Sequence, residues 1–276
     1  MRQLYLVNEV GTTYFFDMRS NTLINGISDL GFQKELDYLT FEDTSVVVKE
    51  KNVLGEVQLG LVFLEGYQGY SNFIDFKKKS KGRMRLFYKI KDDVKFIYVA
   101  IKQLTKTELQ SGVLQCTLIM DKLSLWLKRA SMVIDVRAGT EGKILPYSYP
   151  YKYTASYNGE ADITNNGEYK TALKIFIKGG VVNPTIELIK DGVVISKMRL
   201  ILEANDCEIE VNADVSDQYM KMKVDGLESN IYQLQDFTCD NFLFVEPGTY
   251  TIRFNPGTNV EGTFARVSYI EGYSGH

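Results

Sequence analysis

Two neighbouring segments of the sequence alternate apolar and polar residues with a period of two. The apolar set is Met84, Leu86, Tyr88 and Ile90 in the first segment and Val94, Phe96, Tyr98 and Ala100 in the second. Successive side chains of a β-strand point to opposite faces, so the pattern predicts two strands that each have one apolar face. The short polar segment 91–93 between them predicts a hairpin. We therefore expect a fold built on antiparallel β-structure.

The opposite face of this predicted hairpin also carries large apolar side chains. They are Phe87, Ile97, Val99 and Ile101. A solvated strand face would be polar at these positions, so the four side chains need cover. Either a helix of the same domain or a second copy of the chain could supply that cover. These four are the first candidates for an oligomer or partner interface.

Short apolar runs separated by turn residues extend the β-pattern along the chain. Before residue 67 they are 4–7, 14–16, 36–41, 46–48 and 57–64; after residue 170 they are 171–177, 185–190, 193–202, 207–211, 219–224, 230–234, 242–245, 248–254 and 262–270. The later runs recur about every 8 to 12 residues, which is the spacing of a β-sandwich. One short helix is predicted where Tyr70, Phe73 and Ile74 lie three and four residues apart, with Ser71 as its cap and Gly82 after its end.

The character of the sequence changes between residues 131 and 160, where glycine, proline and tyrosine replace aliphatic alternation. Because proline disfavours central strands, this segment is expected to be a linker and entry strand between a first domain, 1–130, and a second domain, 161–276. An extended chain would place four of its tyrosines on one face: Tyr147, Tyr149, Tyr151 and Tyr153. They are candidates for a protein interface, with sugar stacking or cover for the second core as alternatives.

The supply of catalytic groups limits the chemistry that the chain can perform. His276 is the only histidine and the last residue, a position that does not hold a ring with catalytic precision. Histidine-based triads and histidine-ligated metal sites are therefore not expected. A carboxylate-only glycosidase remains an alternative, since two acidic side chains can suffice for that reaction. We predict no enzymatic activity, no cofactor and no metal.

The charge balance argues against two classes of partner. The chain has 32 Lys and Arg against 35 Asp and Glu, a formal net charge of -3. This near balance gives no electrostatic reason to expect nucleic acid or an anionic membrane as a partner. No apolar run has the length of a membrane span. The three cysteines are predicted to be free thiols, as in a protein folded in a reducing cytoplasm, with a Cys207–Cys239 disulfide as the alternative.

Several short motifs follow one another in an order that resembles a known family. In the first half they are Leu6, Asn8 and Gly11 near the start, Leu30 with Gly31, Gly66 with Tyr67 before the helix, and LSLWLK at 123–128. In the second half they are ITNNG at 163–167, Asn183 with Pro184, PGTYTI at 247–252 and the closing segment 266–269. Together they resemble the distal tail proteins of siphophages that infect Gram-positive bacteria.

The resemblance implies a mainly β fold in which the N-terminal β-rich domain, with one short helix, forms a ring and the C-terminal domain is a galectin-like β-sandwich. It also implies a homohexameric hub in the virion, at the tail tip, that joins the tail tube protein to tail-tip, fibre or baseplate proteins and meets the tape-measure protein. The protein would be made in the host cytoplasm. A galectin-like fold does not by itself imply sugar binding, so a carbohydrate-binding module remains the alternative function.

Overall fold

The computed structural model describes residues 2–135, 137–138, 157–258 and 260–275. These residues form mostly β-structure, as predicted, with one α-helix and one short 3-10 helix among them. The chain divides into two compact units: unit 1 is Met1–Lys128 with Gly272–His276, and unit 2 is Arg129–Glu271. The predicted domain division differs at the C-terminus, because Tyr273 packs against the core of unit 1, with Lys95 Nζ 4.1 Å from its ring centre.

Unit 1 is a single antiparallel sheet with one helix and a separate hairpin. Its elements are β1 (Arg2–Val7), β2 (Thr13–Phe15), β3 (Thr22–Ser28), β4 (Gln33–Phe41), β5 (Thr44–Val53), β6 (Glu56–Phe63), α1 (Tyr67–Lys78), β7 (Met84–Ile90), β8 (Asp93–Lys106), β9 (Leu114–Lys122) and the start of β10 (Trp126–Asp135). The strand order is β2-β1-β7-β8-β9-β6-β3, and β10 pairs with β8 where Leu127 lies opposite Phe96. Residues 131–135, the start of the predicted linker and entry strand, are the end of β10.

The predicted β7–β8 hairpin is present, but the predicted apolar face of its second strand is wrong. Ile90 pairs with Asp93, so the connection has two residues, not three. That register places Ile97 opposite Leu86 and Val99 opposite Met84, all on the core side. A shift of one residue in the pairing register moves every side chain of a strand to the other face. The predicted core residues Phe96 and Tyr98 therefore lie on the outer side of the sheet.

The helix α1 covers the inner face of the sheet in unit 1. It begins at Tyr67, one turn earlier than its apolar spacing suggested, so Ser71 lies inside the helix and does not cap it. Phe73 and Phe76 are buried, with ring centres 5.0 and 5.3 Å from that of Tyr14. This contact closes an aromatic core under the sheet.

Unit 2 contains two larger β-sheets that share one apolar core. Its strands are the rest of β10, then β11 (Arg137–Ala138), β12 (Tyr157–Asn165), β13 (Thr171–Ala172), β14 (Lys174–Val182), β15 (Thr185–Lys190), β16 (Val193–Arg199), β17 (Glu203–Asn212), β18 (Tyr219–Val224), β19 (Leu227–Asn230), β20 (Phe244–Val245), β21 (Gly248–Asn255) and β22 (Phe264–Tyr273). The sheet orders are β19-β18-β17-β14-β22-β10 and β11-β12-β21-β15-β16, and β13 pairs with β20. The predicted strand at 230–234 is instead a 3-10 helix, Tyr232–Leu234, after β19.

The three cysteines are free thiols, so a Cys207–Cys239 disulfide is not formed. Cys116 and Cys207 are buried, and burial raises the pKa of each thiol to about 11.

Within the described ranges, no helix has the length and apolar character to cross a membrane. The same residues contain no group of three or more His, Cys, Asp or Glu side chains arranged to hold a metal ion.

Candidate assembly surfaces

Strands β4 and β5 form a two-stranded ribbon that pairs with no other described strand. We call this ribbon, residues 33–53, the arm. Its pairing runs from Gln33 opposite Val53 at the base to Phe41 opposite Thr44 at the tip. Most of its side chains are exposed on both faces. An isolated two-stranded ribbon is marginally stable in water, so the arm requires a surface to pack against.

The outer half of the arm exposes large apolar side chains. Their exposed fractions are 58% for Tyr38, 49% for Leu39, 58% for Phe41, 51% for Val46, 48% for Val47 and 60% for Val48. Leu39 lies opposite Val46 on one face, and Tyr38 lies opposite Val47 on the other. Both faces are therefore apolar near the tip. Exposed large apolar side chains on both faces of a ribbon make it a candidate protein interface.

The charges of the arm are distributed unevenly. Toward the tip, beyond the pair formed by Asp37 and Lys49, which lie opposite each other, the charged residues of the arm are Glu42 and Asp43, and both are acidic. Glu42 and Asp43 form the turn at the tip, where Glu42 has a φ of 47°. The lysines lie nearer the base, where Lys34 Nζ is 2.6 Å from Glu50 Oε1. The tip is thus both apolar and acidic.

A second surface lies on the outer face of the sheet in unit 1, where aromatic side chains of neighbouring strands face one another. The pairing β2-β1-β7-β8 aligns Phe15, Tyr5, Phe87 and Phe96, which we call the aromatic row. Successive ring centres lie 5.5, 4.8 and 5.3 Å apart. Phe96 is buried, while the other three rings are half-buried. Rings at these distances attract one another beyond simple burial of apolar area.

Arginines surround the aromatic row. The guanidinium of Arg19 lies 3.4 Å from the ring centre of Phe15, and that of Arg83 lies 3.5 Å from the ring centre of Tyr98. Arg85 is half-buried between them, opposite Tyr98. Burial raises the pKa of the Tyr5 hydroxyl, while the charges of Arg19 and Arg85 lower it. The outer face is therefore aromatic and basic.

A cleft of about 220 Å³ opens beside the aromatic row. It is lined by Val7, Asn8, Glu9, Arg83, Met84, Arg85 and Tyr98. Asn8 is 1% exposed, and its Oδ1 accepts a hydrogen bond from Thr12 N at 2.8 Å. That bond fixes the orientation of the amide and leaves Nδ2 without a hydrogen-bond partner among the described residues. A buried donor of this kind takes its acceptor from water in the cleft or from a bound ligand or partner.

Glu9, the acidic residue that lines the cleft, already accepts hydrogen bonds within the chain. The Glu9 carboxylate accepts hydrogen bonds from the backbone N–H groups of Lys81 at 3.0 Å and Arg83 at 3.1 Å. These bonds lower the pKa of Glu9. No described acid forms an ion pair with the side chain of Arg83 or Arg85, so both positive charges remain available.

The eight residues proposed from the sequence have different positions in the structure. Ile97 and Val99 are fully buried in the core of unit 1, and Ile101 packs partly against it, so cover within the unit accounts for these three. Phe87 alone of its set lies on the outer face, in the aromatic row. The tyrosines of 147–153 lie outside the described residues.

Trp126 bears on the carbohydrate-binding alternative. It is 1% exposed in the core of unit 1, and its Nε1 donates a hydrogen bond to the Leu30 carbonyl oxygen at 2.9 Å. The single tryptophan of the chain is therefore not available to stack on a sugar.

The arm was not predicted from the sequence. The pattern that could have indicated it is two apolar runs, 36–41 and 46–48, joined by an acidic turn.

Comparisons with known proteins agree with this architecture. Residues 3–123 match the family model described as the N-terminal domain of distal tail proteins. A chain of the phage P2 baseplate in its activated conformation with strontium is 17% identical with a TM-score of 0.64, and its calcium counterpart is 16% identical with a TM-score of 0.63; both matches cover 100% of each chain. The phage SPP1 Dit protein is 11% identical with a TM-score of 0.62, over 97% of this chain and 98% of that one. No curated protein matches the sequence. At these identities the structural likenesses show a shared fold.

Proposed function

We propose that this chain is a distal tail protein and the ring-forming hub of a phage tail tip, because residues 3–123 match the model of that family's N-terminal domain. Six copies would form a ring through unit 1. One side of the ring would continue the tail tube, and the other would hold tail-tip, fibre or baseplate proteins. The tape-measure protein is a further proposed partner. The role is structural, without catalysis.

The observation that carries this proposal is the arm. An exposed two-stranded ribbon with six large apolar side chains near its tip is costly in water and is stabilised by contact with another molecule. A contact between two different surfaces of identical copies repeats from one copy to the next, and it closes into a ring when the rotation between copies permits. A hub requires this kind of self-association.

The structural relatives support the same proposal. The SPP1 protein is described as a hub of the adsorption apparatus in phages that infect Gram-positive bacteria, and the P2 chain belongs to a baseplate. In this proposal unit 2 is the galectin-like domain and lies outside the ring. Its edge strand β16 exposes Val193, Val194 and Ile195, which could contact peripheral baseplate proteins.

The proposal is tested by removing the apolar surface of the arm from the full chain. The variant Tyr38→Ser/Phe41→Ser/Val47→Ser leaves the core of unit 1 unchanged, because none of the three side chains is buried within the unit. We expect light scattering to give a mass near that of a hexamer for the wild type and a mass of one 31.5 kDa chain for the variant. Trp126 fluorescence should be unchanged, which shows that unit 1 remains folded.

The matched control is Val193→Ser/Ile195→Ser, which removes exposed apolar side chains from unit 2. Its mass should equal that of the wild type. Retention of the full mass in the arm variant, or dissociation of the control, would contradict assembly through the arm.

A further inference from the structure

We propose that the arm of one copy docks on the outer face of unit 1 of the next copy, with its acidic turn in the cleft beside the aromatic row. This inference rests on the proposed ring assembly and names the two surfaces that make it. The occupant of the outer face is thus a second copy of this chain. The two surfaces match in apolar area, in charge and in a hydrogen-bond donor that lacks a partner.

The apolar surfaces of the two partners suit each other. The arm presents aromatic and branched aliphatic side chains, with Tyr38 and Phe41 both 58% exposed. The outer face presents the half-buried rings of Phe15, Tyr5 and Phe87 in a straight row across three strands. Aromatic side chains are enriched at the centres of protein interfaces, because they bury much area with few rotatable bonds.

The charges of the two surfaces are opposite. The tip of the arm carries Glu42 and Asp43, and the nearest basic residue of the ribbon is Lys49, opposite Asp37. The outer face carries Arg83 and Arg85, neither of which has a described acidic partner; Arg19 is already bound to Asp17. Opposed potentials of this kind guide association and select the correct partner. Repulsion would disfavour packing of one arm tip against another.

The cleft supplies a third complementary feature. Its Asn8 Nδ2 atom is a buried donor without a partner among the described residues. The Glu9 carboxylate in the cleft is already bound by two backbone N–H groups, so Arg83 and Arg85 give the site a positive balance. A carboxylate of Glu42 or Asp43 would give Asn8 its acceptor and the arginines their counter-charge.

This contact joins two different surfaces, so each copy gives one arm and receives another. The relation is heterologous and leads to a closed ring or an open filament, whereas a symmetric dimer would pair like surfaces. That asymmetry makes the proposal testable by mixing. One variant carries an altered arm with a normal face, and the second carries a normal arm with an altered face.

The first variant is Glu42→Lys/Asp43→Lys, and the second is Arg85→Glu. Each alone should assemble at least about 10-fold more weakly than wild type, because like charges then meet at every contact. In an equal mixture, each lysine-bearing arm meets a glutamate-bearing face, and each normal arm meets a normal face. Assembly should therefore return to within about 3-fold of wild type on mixing, as judged by light scattering. Charge-reversal controls are Glu108→Lys in unit 1 and Arg266→Glu in unit 2, of which the second makes the same charge change as Arg85→Glu; both should assemble normally.

The outcomes separate this inference from the proposed function. Normal assembly of Arg85→Glu, or failure of the mixture to recover, would overturn the docking face. If the triple serine arm variant nevertheless dissociates, assembly through the arm stands and the docking surface lies elsewhere. If that variant also assembles normally, the proposed function fails together with this inference. Trp126 fluorescence of each variant confirms that unit 1 is folded.

Discussion

Truncation of Ile97 and of Phe87, one at a time, distinguishes the two faces of the β7–β8 hairpin. Ile97 is 0% exposed and lies opposite Leu86 in the core of unit 1. Ile97→Ala removes three carbon atoms at about 0.8 kcal/mol each, or about 2.4 kcal/mol. The cavity left behind adds to this, so we expect the free energy of unfolding of unit 1 to fall by about 3 to 4 kcal/mol.

We expect Phe87→Ala to affect stability less than Ile97→Ala does. Its ring is half-buried on the outer face and stacks on Tyr5, with centres 4.8 Å apart. Phe87→Ala should reduce the stability of unit 1 by about 1 to 2 kcal/mol, because water already reaches part of the ring. The same change should weaken assembly of the full chain, since it removes a ring from the proposed docking face.

The assay is urea unfolding followed by Trp126 fluorescence. Trp126 is the only tryptophan and lies in the core of unit 1, so its emission reports on that unit. Measurements in the triple serine arm variant separate stability from association. A larger loss of stability for Phe87→Ala than for Ile97→Ala would refute the register and, with it, the position of the aromatic row.

Three further predictions concern single groups. At about pH 8, which is about one unit below the ordinary pKa of a thiol, a thiol reagent should modify Cys239 first, because burial raises the pKa of Cys116 and Cys207 to about 11. Rapid modification of all three thiols in the folded protein would contradict this. Hydrogen bonds lower the pKa of Glu9, so the ionised carboxylate contributes its full stabilisation of the fold above the ordinary pKa of 4.5 and loses it as the pH falls through the lowered pKa. The stability of Glu9→Gln should therefore differ most from that of the wild type at neutral pH, and the two stabilities should converge in acid unfolding experiments. Gly257→Ala should destabilise unit 2 in thermal unfolding, because its φ is 73° and a Cβ atom would lie 1.7 Å from a backbone carbonyl oxygen; an unchanged melting temperature would refute the turn geometry.

Local pattern predicted the strands well and their partners poorly. The alternation around Leu86 identified a hairpin, but the face of its second strand depended on whether Asp93 belongs to the turn or to the strand. A period of two carries no information on that one-residue choice, so Ile97 and Phe96 exchanged faces. The predicted helix had a similar fault at its start, where Ser71 resembled a cap.

The candidate surfaces depend on contacts between distant residues, which a single sequence does not reveal. Tyr5 and Phe87 are neighbours because β1 pairs with β7, and nothing in either segment specifies that partner. The arm was missed for the same reason. Runs 36–41 and 46–48 have ordinary strand composition, and nothing in that composition indicates that they pair with no other described strand.

Electron microscopy of the assembled full chain tests directly whether copies of this chain assemble through the arm. We expect a closed ring in which density for residues 33–53 leaves each copy and crosses β1 and β7 of the next, beside Phe87 and Arg85. Arms that extend into solvent, or a ring held together by contacts of unit 2, would contradict it.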